Sequence, residues 1–169
     1  GCTGANESTQ SDSMFRVTSA DELLNAFRPR DRSVVELPKD RSFPLFVRDA
    51  LTWTNETGER VFVVFKAPGD VHLTGLAFRI DRSSGGTAAQ MCDWCHTVGF
   101  PDEIGLLVTD ANSRKRVGAY LCRDLGCGAR VEDVANRTGR NVRASLDALL
   151  RRMCRFAERA LGITQTNRN

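Results

Sequence analysis

The sequence predicts an α+β fold: a small, mostly antiparallel sheet, a cysteine unit set into it, and a long C-terminal helix. Three observations predict it. Two β-branched and aromatic runs, Arg60 to Lys66 and Val71 to Ile80, are joined by the turn Pro68-Gly69-Asp70. Two cysteine pairs, Cys92-Asp93-Trp94-Cys95 and Cys122-Arg123-Asp124-Leu125-Gly126-Cys127, flank a pattern that reads as a β-hairpin. Near the end, Val142, Leu146, Leu149, Met153, Phe156 and Ala160 recur at 3-4 spacing, which lines one face of a helix.

In chain order, residues 1–13 are small and polar without periodicity and are expected to be a disordered tail or the remnant of a tag. One domain is expected over 14–165. Ser19-Ala20-Asp21-Glu22 starts a short helix, with Glu22 at the capping-box position. That helix offers Leu23, Leu24 and Phe27 on one face and stops before Pro29. Leu45 to Trp53 is apolar and fits either helix or strand. Asn55-Glu56-Thr57-Gly58 is a turn into the Arg60 run. Asp81 to Ala89, with Ser83-Ser84-Gly85-Gly86, is a flexible loop leading to the first cysteine pair. Ile104 to Thr109 and Arg116 to Leu121 form a hairpin whose tip, Asp110 to Lys115, is charged. Gly162 is the expected stop of the last helix.

Composition narrows the function classes. The chain has 169 residues, 41% hydrophobic and 27% charged, which describes a folded globular protein. No apolar run approaches the roughly 20 residues that cross a bilayer, so no membrane partner is expected. Cysteine is the second residue, after glycine, which fits a processed tag or truncated start; a reducing cytoplasm is the expected location. No P-loop, Gly-x-Ser-x-Gly, His-Glu-x-x-His or dinucleotide fingerprint occurs, so no enzyme and no small-molecule substrate are expected.

The four paired cysteines carry the chemistry. Thiolates paired across two and across four intervening residues converge on one tetrahedral ion, and Zn²⁺ takes sulfur at about 2.3 Å. Six cysteines in the whole chain are too few for a disulfide scaffold. Cys92, Cys95, Cys122 and Cys127 are therefore the expected ligands of a structural Zn²⁺. The order of knuckle, hairpin and second pair at the mouth of a helix is a treble-clef zinc finger. The formal charge of +3 then falls to about +1, because four thiolates on one Zn²⁺ carry a net −2.

Met91-Cys92-Asp93-Trp94-Cys95-His96-Thr97 and Val117-Gly118-Ala119-Tyr120-Leu121-Cys122-Arg123-Asp124-Leu125-Gly126-Cys127 resemble the C-terminal zinc-binding domain of elongation-factor-G-binding proteins. Asp49-Ala50-Leu51-Thr52-Trp53 and the basic terminal helix add to the likeness, which spans roughly residues 15 to 160. The family includes the staphylococcal fusidic-acid-resistance proteins. The resemblance implies a zinc-stabilised binding module that associates with elongation factor G, the ribosome, or both. The resistance proteins carry a helical bundle ahead of this domain, whereas the residues before Cys92 here read as strands and short helices; a stand-alone form is expected.

Contact residues are sought among the cations. Arg137, Arg140, Arg143, Arg151, Arg152, Arg155, Arg159 and Arg168 face only Asp147 and Glu158 in the terminal segment. Arginine presents a planar fork suited to carboxylate and phosphate. Arg151, Arg152 and Arg155, with Arg114, Lys115 and Arg116 at the hairpin tip, are the expected partner-binding cations. Trp94 is a further candidate, either exposed as a contact anchor or packed under the zinc. The second functional reading is an RNA-binding zinc finger that uses the arginine-rich helix, ribosomal RNA included. A redox role would require the Cys92–Cys95 pair to cycle. His96 is expected beside the ligands or at the surface, His72 in a sheet, and Cys154 as a buried, inert thiol; Cys2 falls in the tail.

Overall fold

The computed structural model describes residues 14–83 and 86–163. The expected tail with Cys2, the loop residues Ser84 and Gly85, and Arg168 lie outside the described residues. The elements are β1 (Phe15–Val17), α1 (Ala20–Asn25), a 3₁₀ turn (Arg32–Val34), β2 (Leu45–Val47), β3 (Ala50–Thr54), β4 (Arg60–Lys66) and β5 (Leu73–Ile80). They continue with β6 (Gln90–Met91), β7 (Val98–Gly99), β8 (Ile104–Asp110), β9 (Arg116–Cys122), α2 (Cys127–Thr138) and α3 (Val142–Leu161). Five strands form one antiparallel sheet in the order β3-β4-β5-β8-β9, and β1-β2 and β6-β7 are two-stranded ribbons.

At β4 the sheet is covered on both faces, which explains why that strand reads as an unbroken apolar run rather than an alternation. Val61, Val63 and Phe65 face one cluster with Leu76, Phe78, Leu107, Leu121 and the stripe of α3. Phe62 and Val64 face the opposite cluster with Leu51, Trp53, Ala77 and α1. The register Phe62↔Ala77 and Val63↔Leu76 keeps the two sets apart. A one-residue slip would exchange them, so the register is strongly specified.

Local signals set the ends of the helices. The Ser19 hydroxyl accepts from the Glu22 N–H at 3.1 Å and starts α1. The Glu22 carboxylate reaches back one residue further than a capping box does, accepting from the N–H and hydroxyl of Thr18, both at 2.7 Å. Phe27 lies flat on the sheet because Gly75 is beneath it; a Cβ there would stand 2.7 Å from the ring. The Asn141 side chain caps α3 by accepting from the Ala144 N–H at 2.9 Å. Gly162, at φ +66°, ends α3 as expected.

Three expectations are refined or corrected. Leu45 to Trp53 resolves into β2 and the start of β3. His72 is not in the sheet: its N–H donates to Asp70 Oδ1 at 3.1 Å, so the turn holds it and β5 begins at Leu73. Cys154 is buried with the apolar stripe, as expected, but its sulfur is disulfide-bonded rather than a free thiol.

Candidate metal centre

β6 and β7 pair through Met91↔Val98 and Gln90↔Gly99, and the knuckle between them carries Cys92 and Cys95. Its turn is closed by backbone bonds from the Cys92 N–H to the Thr97 carbonyl (2.8 Å) and from the His96 N–H to the Cys92 carbonyl (2.9 Å). The Asp93 N–H donates to the Tyr120 carbonyl at 2.8 Å, fastening the knuckle to β9. Cys122 ends β9, and Cys127 is the first residue of α2. A thiolate there meets the positive end of the helix.

The four sulfurs all lie within 4.8 Å of one another. Cys92 Sγ is 3.7 Å from Cys127 Sγ, and Cys95 Sγ is 3.5 Å from Cys122 Sγ. Sulfurs at about 2.3 Å from a tetrahedral Zn²⁺ stand about 3.8 Å apart, so the cage fits one such ion. Crowding four thiols shifts their protons. Hydrogen bonding from Cys122, then from Cys127, lowers Cys92 to about 7, and the same two neighbours hold Cys95 well below the usual thiol range. Donating to Cys122 and Cys92 raises Cys127. Cys92, Cys122 and Cys127 are buried, and only Cys95 is partly open, beside Thr97 Oγ1 at 3.3 Å.

The surroundings brace this cage. Trp94 is 2% exposed and packs edge-on against Phe78 and Phe156, each with ring centroids 5.8 Å away. Its carbonyl accepts from Arg152 Nε, which joins the knuckle to α3. Burial, then the neighbouring Arg155, lowers the Arg152 guanidinium from its ordinary value, while the thiolates of Cys95, Cys127 and Cys92 act in the opposite direction. Asp124 accepts from the Gly126 N–H (2.8 Å) and from Arg130 (3.0 Å), shaping the loop between the second pair. Arg48 bridges Asp49 (2.9 Å) and Glu132 on α2 (2.6 Å). Asp49 comes so near the first turn of α2 that a Cβ on Gly128 would lie 2.2 Å from its carboxylate.

The comparisons with known proteins bear on this geometry. The model of the FBP C-terminal treble-clef zinc-finger matches residues 20–166. The chain belongs to that zinc-finger family. The match spans the sheet, the cysteine cage and both C-terminal helices, so the family's zinc is a structural cofactor of this fold. Among solved structures, a structure of the fusidic acid resistance protein FusC is similar, with 18% identity and a TM-score of 0.49. The likeness covers 74% of this chain and 57% of FusC, so the chain spans little more than half of that protein's length. No curated protein matches.

The other expected site residues are not gathered together. Arg114, Lys115 and Arg116 are exposed at the hairpin tip. Arg116 is six residues before Cys122 on β9, about 20 Å from the cage at 3.4 Å per residue. Arg155 is exposed on α3 and Arg151 partly so. Arg152 is turned inward onto the Trp94 carbonyl. Trp94 as a contact anchor is corrected: the ring is buried between the sheet and α3, because the knuckle turn aims it at Phe78 and Phe156. His96 is at the surface and adopts φ +64° in the knuckle turn. Arg152, Asp124 and Asp49 were missed as supports of the cage. A flag for Arg152 was present, since it is next to Met153 on the buried stripe.

Proposed function

We propose that this chain is a zinc-stabilised, non-catalytic binding module that associates with elongation factor G, at or near the ribosome, in the cytoplasm. The observation that carries the reading is the family match over residues 20–166, which coincides with the motifs resembling elongation-factor-G-binding proteins. The chemistry of the cage supports the non-catalytic part. Cys92, Cys95, Cys122 and Cys127 would fill all four positions of a tetrahedral Zn²⁺, leaving none for water or substrate. Among the described residues, no helix is long and apolar enough to cross a membrane.

The ion would hold the knuckle, β9 and α2 as one rigid body, against which α3 is fastened through Arg152 and Trp94. A partner of complementary charge would meet Arg151 and Arg155 on α3, or Arg114, Lys115 and Arg116 at the hairpin tip. Calorimetry of the zinc-loaded chain with purified elongation factor G, at moderate salt, tests this. Saturable association that disappears on chelation is expected. No heat and no co-elution at micromolar concentrations would overturn the reading.

A further inference from the structure

We propose that the outer face of the five-stranded sheet, beyond the edge of α1, is a binding site for single-stranded RNA. It begins with a charge arrangement that folding alone does not favour. Arg60 on β4 and Arg79 on β5 are direct cross-strand partners. Like charges in that position destabilise a sheet. Arg30, from the turn after α1, joins them in lining a cleft of about 110 Å³.

Two carboxylates, Asp31 and Asp110, line the same cleft, and each is held by another cation. Asp31 pairs with Arg28 at 2.7 Å and Asp110 with Arg116 at 3.6 Å. Asp81 accepts from the N–H and hydroxyl of Ser83 at 2.9 and 2.6 Å, while Arg79 and Arg116 act on it only through their fields. Among the described residues, no ion pair neutralises Arg30, Arg60 or Arg79. Three guanidiniums against two carboxylates leave the cleft with a cationic excess, which favours an anion.

The same face continues without a break. Arg79 pairs with Val108, and Val108 with Gly118. One step along β8 and β9 stand Leu106 and Tyr120, again opposite each other. These two line a trough of about 320 Å³ together with Arg82 and Arg123 and the carboxylates Asp81 and Asp102. Gly118 keeps the floor low, since a Cβ there would come within 3.1 Å of Leu106. Tyr120 is the chain's only tyrosine. Leu106, Val108 and Tyr120 are each partly open, and Tyr120 also packs against the buried cluster that includes Ile104.

Arginines, then a flat apolar floor, then a ring flanked by another arginine match the needs of an unpaired nucleic-acid strand. Phosphates take the guanidinium forks and a splayed base stacks on the ring. An acidic peptide would satisfy the arginines and leave the floor and ring unused. The site therefore differs from the arginine-rich helix expected from the sequence. It is also independent of docking on elongation factor G, so either proposal can fail alone.

The test is fluorescence anisotropy of the full zinc-loaded chain with a labelled oligouridylate of about twelve nucleotides, across a salt series. The wild-type chain is expected to bind. The Arg30→Ser/Arg60→Ser/Arg79→Ser variant should bind at least tenfold more weakly, with a salt slope shallower by about 2, from roughly 0.7 per phosphate contact. Tyr120→Leu should weaken binding about fivefold or more with the slope unchanged. Arg151→Ser/Arg155→Ser should bind as wild type does. Circular dichroism and zinc content establish folding, and the single Arg79→Thr variant, expected to lower the slope by about 0.7, serves if the triple variant does not fold. No binding by wild type, an unchanged slope in the arginine variants, or loss confined to the α3 variant would overturn the proposal. So would wild type that ignores RNA while the triple variant loses elongation factor G, which would make this face a protein interface.

Discussion

Replacing Trp94 by alanine separates a core role from a contact role. The side chain is 2% exposed, and its ring meets those of Phe78 and Phe156 at 5.8 Å. A buried tryptophan removes about 200 Å² from water, worth about 5 kcal/mol at 25 cal/mol per Å² as an upper bound. Measured tryptophan-to-alanine losses in cores run about 3–5 kcal/mol, and the two lost ring pairs favour the middle of that range or above. We therefore expect Trp94→Ala to lose about 4 kcal/mol in urea unfolding at fixed free zinc, because metal and folding equilibria are linked. Trp94→Phe should recover most of that loss and retain the proposed binding to elongation factor G. Trp53 remains as a fluorescence probe, buried in the opposite cluster. A loss below about 1 kcal/mol, well under the core range, together with abolished partner binding, would refute the packing argument.

Three further outcomes are expected. His96 holds φ +64°, a left-handed conformation costing about 1–2 kcal/mol in a non-glycine residue, against about 0.4–1 kcal/mol of added unfolded-chain entropy for glycine; His96→Gly should stabilise the zinc-loaded chain by about 0.5–1 kcal/mol in thermal or urea unfolding. Arg79→Thr removes the like-charge pair with Arg60 and should raise stability by about 0.2–1 kcal/mol at low salt, the gain shrinking as salt is added. The Glu22 carboxyl is held below its ordinary 4.5 first by the Thr18 N–H, then by the Thr18 hydroxyl. Its contribution is complete above pH 4.5 and is lost as pH falls through the lower folded value, so Glu22→Gln should reduce stability at neutral pH and flatten that acid limb.

Legibility in the sequence followed the range of the interaction. β4 matches the Arg60 to Lys66 run, α3 matches the 3-4 stripe, and the Ser19, Gly162 and cysteine signals sit where local chemistry puts them. Leu45 to Trp53 was ambiguous because it includes a corner between the β1-β2 ribbon and the five-stranded sheet, and periodicity over so few residues does not separate strand from helix. The direction of Trp94 was not legible either: a knuckle turn allows both orientations, and the choice comes from Phe78 and Phe156, distant in sequence. Arg152 looked like one cation among many until its carbonyl partner, 58 residues away, was in view. The opposition of Arg60 and Arg79 likewise depends on strand register, which no local pattern announces.

X-ray absorption at the zinc edge, with metal content measured on the same purified chain, questions the cage most directly. One zinc per chain, surrounded by four sulfurs at about 2.3 Å, is the predicted spectrum. A metal-free chain, or a first shell containing nitrogen or oxygen, would contradict a closed all-sulfur centre and the rigid scaffold inferred from it.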